Sequence, residues 1–216
     1  MAPDKLYFHA DSAAVPPGKG VHEQVADPAR YSPLWLSAAR WREALSDAWP
    51  VELMMPPRPG LEGGGGEEYT PPLPCESVEH CMKLAWQYPV FRRLDAAGQI
   101  PQLHRVGFTV FCQQHNRSHM TNLTWLRMTQ LEETNWNAGK EEFRTQCQWL
   151  KFSEHAELRG LLLATGDAQL WEVMARGKKP AERAWELERV RKALREGRTE
   201  LPAAVEDEDA AASGEG

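Results

Sequence analysis

No stretch of this chain approaches the roughly eighteen consecutive apolar residues that a membrane-spanning helix requires, which excludes such a helix. Cysteine is scarce. The four present (Cys75, Cys81, Cys112, Cys147) are dispersed with no C-x-x-C pair, which argues against a disulfide framework and predicts reduced thiols. There is no internal repeat, so solenoids and propellers are excluded. There is no basic surplus either: 25 Lys and Arg stand against 31 Asp and Glu, a formal charge of -6. That balance argues against broad nonspecific binding to duplex nucleic acid. Met1-Ala2-Pro3-Asp4-Lys5 does not begin a signal peptide, so the expectation is an intracellular protein without membrane partners, cytoplasmic or nuclear. The sequons at Asn116 and Asn122 then carry no meaning.

What the chain does have is unevenly distributed. Residues 203–216 hold five acids and no base, so 198–216 is expected to be a disordered acidic tail. Without that tail the remainder is close to neutral, which leaves room for a local cationic pocket. Residues 1–5 are expected to be a flexible N-terminus and 6–197 a single domain, long enough to bury a core. Within it, residues 54–74 (MMPPRPGLEGGGGEEYTPPLP) read as a mobile Pro/Gly loop.

The elements read as mainly α with at most a few short strands. Leu6-Tyr7-Phe8 suggests a short extended segment. Asp27-Pro28 signals a helix start, and helical pattern runs to about Trp49 with a break at Ser32-Pro33. Ser77 can cap a helix burying Val78, Cys81, Met82 and Ala85, interrupted at Tyr88-Pro89 and resumed through Phe91 and Leu94 to Gly98. Val106–Cys112 has the content of a strand. Helical pattern returns at Trp125–Leu131 and at 138–152, where Phe143, Cys147 and Leu150 fall at i, i+4, i+7. Ser153 can cap a helix carrying Ala156, Leu158, Leu161 and Leu162, with Gly166 closing it. Asp167 can cap a second short helix carrying Leu170, Trp171 and Val173. Pro180–Glu196 is a last helix, stopped by Gly197.

Several motifs occur in a fixed order: Tyr7-Phe8 through Gly18-Lys19-Gly20, Trp41-Arg42-Glu43-Ala44-Leu45-Ser46-Asp47, Ser77-Val78-Glu79-His80, and Trp136 fifteen residues before Lys151-Phe152. The run Glu157-Leu158-Arg159 to Thr165, the close Leu170-x-Glu172, Arg176 to Pro180 and Val190-Arg191 complete the series. Together they resemble the NADAR (YbiA/RibX-like) N-glycosidase family over residues 6–195, in the longer form found in eukaryotes and large DNA viruses. The resemblance implies a single YbiA-like helical domain and cleavage of an N-glycosidic bond. The implied substrates are phosphoribosylated riboflavin intermediates or ADP-ribose attached to guanine in nucleic acid, with no cofactor.

The residue types suit that chemistry. Breaking C1′–N develops positive charge at the sugar, which a carboxylate can stabilise; a lysine can attack C1′ and hold the opened sugar as a Schiff base; a tryptophan face can stack on base or sugar. By the resemblance Glu79 and Lys151 take the catalytic roles, and Trp136, Phe8, Lys19, Ser46, Asp47, Lys83 and Trp86 line the substrate site. The chain departs from the family at three places. Trp86 stands where the family has lysine, Lys83 where it has glutamine, and Ser46-Asp47-Ala48 where it has S-N-F. Lys83 lies one helical turn from Glu79 on the same face.

Each of these residues also has a plain structural reading. Glu79 suits a helix N-terminus, Lys151 a solvated helix end, Trp136 a core filler, Lys19 a flexible turn, and His80 a hydrogen-bonded structural role. Arg42 and Arg144 are candidate phosphate partners, although a charged helix face explains both. Cys112-x-x-His115-x-x-x-His119 lacks an evident fourth ligand, so no metal is expected. The leading expectation is an ADP-ribosyl-guanine N-glycosidase. The alternatives are an enzyme of riboflavin intermediates, a catalytically degenerate ADP-ribose or nucleotide-binding module, and a scaffold working through its tail and loop. The oligomeric state is not legible.

Overall fold

The computed structural model describes residues 2–9, 11–12, 14–56, 73–102, 126–173 and 180–201. The strand expected at Val106–Cys112, the Cys112–His119 pattern, the middle of the 54–74 loop and the tail beyond 201 lie outside the described residues. What is described is a mainly α-helical domain with a few short strands.

The chain starts with strand β1 (Lys5–Phe8), a 3-10 turn (Pro28–Tyr31) and helices α1 (Ser32–Ser37) and α2 (Trp41–Leu45). Asp27 caps the 3-10 turn, accepting from the Ala29 amide. Ser32-Pro33 does not break the helix. Pro33 sits in the first turn of α1, where its missing N–H costs nothing, and the interruption falls at 38–40 instead. Strands β2 (Leu53–Met54) and β3 (Pro74–Cys75) pair antiparallel and clip the ends of the Pro/Gly loop, with Met55 and Leu73 buried.

Helix α3 (Val78–Ala96) is capped by the Ser77 hydroxyl and runs unbroken through Pro89. The expected interruption fails because Tyr88, Val90, Phe91 and Leu94 bury their side chains on both sides of the proline, which offsets a penalty of about 3 kcal/mol. Helix α4 (Gln130–Glu154) joins what read as two helical segments into one, started by a Thr129–Glu132 capping box. Helix α5 (Ala156–Ala164) follows after His155, so Ser153 belongs to the end of α4 rather than to a cap.

After Gly166, at φ +56, the expected Asp167 helix is instead strand β4 (Gln169–Glu172). Leu170, Trp171 and Val173 are too few to set a helical period, and a parallel partner decides the matter: β1 lies beside β4 with Leu6 opposite Leu170 and Phe8 opposite Glu172. Strand β5 (Glu182–Arg183) adds antiparallel to β4, and helix α6 (Trp185–Arg195) ends at Gly197.

Two buried clusters meet along α4. One gathers β1, α1, α2, α5, β4 and α6 around Leu6, Phe8, Trp41, Phe152, Leu162 and Val190. The other gathers β2, β3 and α3 around Leu53, Cys81, Leu84, Phe91, Phe143 and Cys147. Val51 and Leu150 pack against both. Asp4 accepts from the Ala26 amide and the Tyr31 hydroxyl, and Leu201 packs on the first cluster. Among the described residues no helix is long and apolar enough to cross a membrane. Cys75, Cys81 and Cys147 are free, buried and linked by thiol hydrogen bonds.

Candidate functional site

On α4 the spacing that gives Phe143, Cys147 and Leu150 one face gives Arg144, Gln148 and Lys151 the next. That second face meets the turn Ser46-Asp47 at the end of α2. The Lys151 ammonium nitrogen, with no solvent-exposed surface, donates to the Ser46 carbonyl at 2.7 Å. Arg144 Nε donates to Asp47 Oδ2 at 2.6 Å, and Gln148 Nε2 donates to Asp47 Oδ1. Arg144 also reaches Glu172 on β4, at 2.5 Å, and Glu186 on α6. One guanidinium therefore gathers carboxylates from three elements around a buried lysine.

The electrostatics follow from this packing. Burial pushes the Lys151 amine down to about 7; Asp47 and Glu172 work against that and Arg144 adds to it. Burial also opposes the charge on Arg144, but its three carboxylates outweigh burial and hold the guanidinium protonated. Burial raises Glu186, with Arg144 opposing. The Gln148 carbonyl oxygen is buried without a hydrogen-bond partner, so the cluster retains an unused acceptor beside an amine that is half neutral near physiological pH. Such an amine can attack an electrophilic carbon or accept a proton, and flanking carboxylates can stabilise positive charge formed nearby.

The other expected site residues fall into distinct places. The Glu79 amide donates to the Asp47 carbonyl at 2.9 Å, so α3 starts on the same turn that holds Lys151. The Glu79 carboxylate pairs with Lys83 at 2.7 Å, both half-exposed. Phe8 is buried, and its register sets Glu172 beside it. Ser46 and Asp47 are the turn itself. Trp136 is not brought to Lys151. Fifteen residues of continuous helix separate them by about 22 Å along the axis, and the indole packs into the second cluster near Phe143. Trp86 is half-buried on α3.

Lys19 is exposed at the tip of a turn whose amides are already engaged. Gly18 and Gly20 N–H groups both donate to Glu23 Oε2, at 2.7 and 3.0 Å, and Glu23 pairs with buried Arg42. A Cβ at Gly20 would sit 2.7 Å from the Glu23 carboxyl carbon, which explains the glycine. The Gly-Lys-Gly nest thus holds an internal anion. His80 is structural: Nδ1 accepts from the Glu76 amide, and burial lowers its basicity.

Gln148 and Glu186 are not among the residues the sequence singles out, and Arg144, a candidate phosphate partner or charged helix face by sequence, is instead paired with three carboxylates. The signal available was the i, i+4, i+7 spacing of three polar residues that ends on Lys151. A groove of about 1140 Å³ between α4 and α6 reaches the cluster at Arg144, Glu172 and Glu186. Among the described residues no group of three or more His, Cys, Asp or Glu is placed to hold a metal ion. Comparisons with family models, with curated proteins and with solved structures returned no match.

Proposed function

We propose that this chain is an N-glycosidase that cleaves the bond between a ribosyl phosphate or ADP-ribose unit and a base nitrogen, with ADP-ribosyl-guanine as the substrate. The observation that carries the reading is the Lys151 amine, lowered to about 7 and flanked by Asp47 and Glu172. The motif resemblance to NADAR proteins supplies the reaction. Neutral Lys151 attacks C1′, the C1′–N bond breaks, and its electron pair leaves with the base. The proton lost by the lysine nitrogen passes to the base through Glu79. The ring oxygen then leaves C1′ with the bond's electron pair and takes a proton from water, so that the opened sugar is held as an iminium. The hydroxide so formed adds to the iminium carbon, and collapse of the adduct releases the free sugar and the neutral amine. Asp47 and Glu172 stabilise the positive charge at C1′.

The test is release of guanine from an ADP-ribosylated oligonucleotide, with borohydride present to trap the iminium on the protein. Release by the wild type, a covalent adduct at Lys151 and loss of both in Lys151→Met are expected. Release that survives Lys151→Met would overturn the assignment. A second reading is favoured by the absence of any exposed surface on Lys151 and by Trp86 in the place of the family's lysine: a module that holds the nucleotide without turnover. ADP-ribose binding with neither release nor trapping selects it.

A further inference from the structure

The three-stranded sheet has a second face that the Lys151 cluster does not use. Leu6, Phe8, Leu170 and Glu172 point inward, so Lys5, Tyr7, Gln169 and Trp171 point outward. Tyr7 and Trp171 are direct neighbours across the parallel pair, with ring planes 19° apart and centroids at 6.1 Å. On the other edge of β1, Lys5 bridges to Gln24 through two backbone hydrogen bonds. That bridge brings the His22 ring to 6.1 Å from Tyr7, tilted by 55°. The result is a hollow of about 400 Å³ lined by Tyr7, His22, Gln24, Trp171 and Ala181. The Lys5 ammonium stands 5.5 Å from the Trp171 ring centre.

We propose that this hollow binds a nucleobase carrying a phosphate, as a free nucleotide or within a single strand. The chemistry is read from the lining. Aromatic faces take a planar ring irrespective of sequence, and the Gln24 amide offers both a donor and an acceptor to a base edge. Among the described residues none that lines the hollow is acidic, and a cation already sits over the indole, so the site suits an anionic ligand rather than a cationic one.

His22 adds an independent observation. It is the one described non-glycine residue at positive φ, +68, a conformation that glycine adopts without strain. The backbone is held there by Glu23, whose amide donates to the Gly20 carbonyl and whose carboxylate is locked onto Arg42. The His22 side chain is exposed and its packing contact is with Tyr7. The turn thereby leaves the imidazole exposed at the rim of the aromatic hollow, where a ligand can meet it.

The experiment is fluorescence-anisotropy titration of a labelled oligodeoxyadenylate of about 15 nucleotides, with AMP and an abasic oligonucleotide of equal length as competitors. The expected result is saturable binding, displaced by AMP and not by the abasic strand. Trp171→Leu should weaken it by about tenfold. His22→Asn, which keeps a residue tolerant of the left-handed backbone, should weaken it severalfold, and Lys5→Gln should flatten its salt dependence. Lys151→Met should leave it unchanged, which separates this hollow from the internal cluster. Oligonucleotide binding much tighter than AMP assigns the ligand to single strands, and equal binding assigns it to free nucleotide. Should Trp171→Leu fail to fold, His22→Asn and Lys5→Gln carry the test. Absence of wild-type binding, competition by the abasic strand, or loss in Lys151→Met with His22→Asn unaffected would overturn the proposal.

Discussion

Two arginines of this protein are drawn into the interior by carboxylates, and the two settings differ in charge balance. Among the described residues Arg42 has one acidic partner: Nε and Nη2 both donate to Glu23, Nη2 lying 2.7 and 2.8 Å from its two oxygens, while Nη1 donates to the Val15 carbonyl and Nη2 also to that of Pro16. The Gly18 and Gly20 amides complete the Glu23 carboxylate. The pair is neutral, closed and 4% and 0% exposed. Arg144 instead has three carboxylates, from Asp47, Glu172 and Glu186, each 14–20% exposed, with Lys151 sealed beneath. A closed pair has nothing left to offer a ligand. A cluster with surplus negative charge and a half-neutral amine has unspent electrostatic free energy, which is what a reactive site requires. The first arginine locks the 15–23 loop; the second holds three carboxylates together beside Lys151.

That contrast is broken most severely by removing one member of the closed pair. Glu23→Gln is close to isosteric but leaves Arg42 buried without a counter-charge, so stability should fall by about 3–5 kcal/mol. Urea unfolding followed by tryptophan fluorescence reads it directly. A loss under about 1 kcal/mol would mean that water or the carbonyls of Val15 and Pro16 suffice for Arg42, and the distinction between the two arginines would collapse.

The fold was legible where local signals and tertiary demand agree. Ser77, Asp27-Pro28 and Gly197 act at the element boundaries their chemistry suggests, and Lys5–Phe8 is the strand that Leu6-Tyr7-Phe8 indicated. It was illegible where a distant partner decides. Three apolar residues after Asp167 fit a helix or a strand equally, and only β1, far away in the chain, selects the strand. Pro89 reads as a stop, yet burial on both sides carries the helix through it. The site divides along the same line. Ser46, Asp47 and Lys151 were singled out by motif resemblance. Arg144 and Gln148 were not, because a polar helix face is indistinguishable from a solvated one until Asp47, 97 residues away from Arg144, covers it.

The open cluster makes a different prediction, on pH. Lys151 titrates near 7 in the folded chain and at its ordinary value of 10.5 when unfolded. Between those values the unfolded chain binds a proton that the folded chain does not, so raising pH through that window favours the folded state. Lys151→Met removes the linkage. At pH 7 the variant should be the more stable protein by about 4 kcal/mol, and by pH 10 the difference should shrink to under about 1 kcal/mol. Other alkaline titrations cancel in the comparison. A difference independent of pH between 7 and 10 would show that the amine stays protonated in the fold, and would remove the basis for its role as a nucleophile.

The smallest effect on stability is expected at Glu79, and it is informative because it is small. Its carboxylate and Lys83 form an i, i+4 pair with 49% and 41% of their side chains exposed, a geometry worth about 0.3–0.5 kcal/mol on a helix. The contact that ties Glu79 to the Ser46-Asp47 turn runs through its backbone amide, which substitution leaves in place. Glu79→Gln should therefore unfold within about 0.5 kcal/mol of the wild type, while guanine release from the ADP-ribosylated oligonucleotide is lost. Equal stability with full turnover would return Glu79 to the part of a helix-start charge and leave proton transfer to Asp47 or Glu172. A large loss of stability would instead show that the Glu79 side chain supports the turn beneath Lys151, and any fall in turnover would then follow from displacement of the amine.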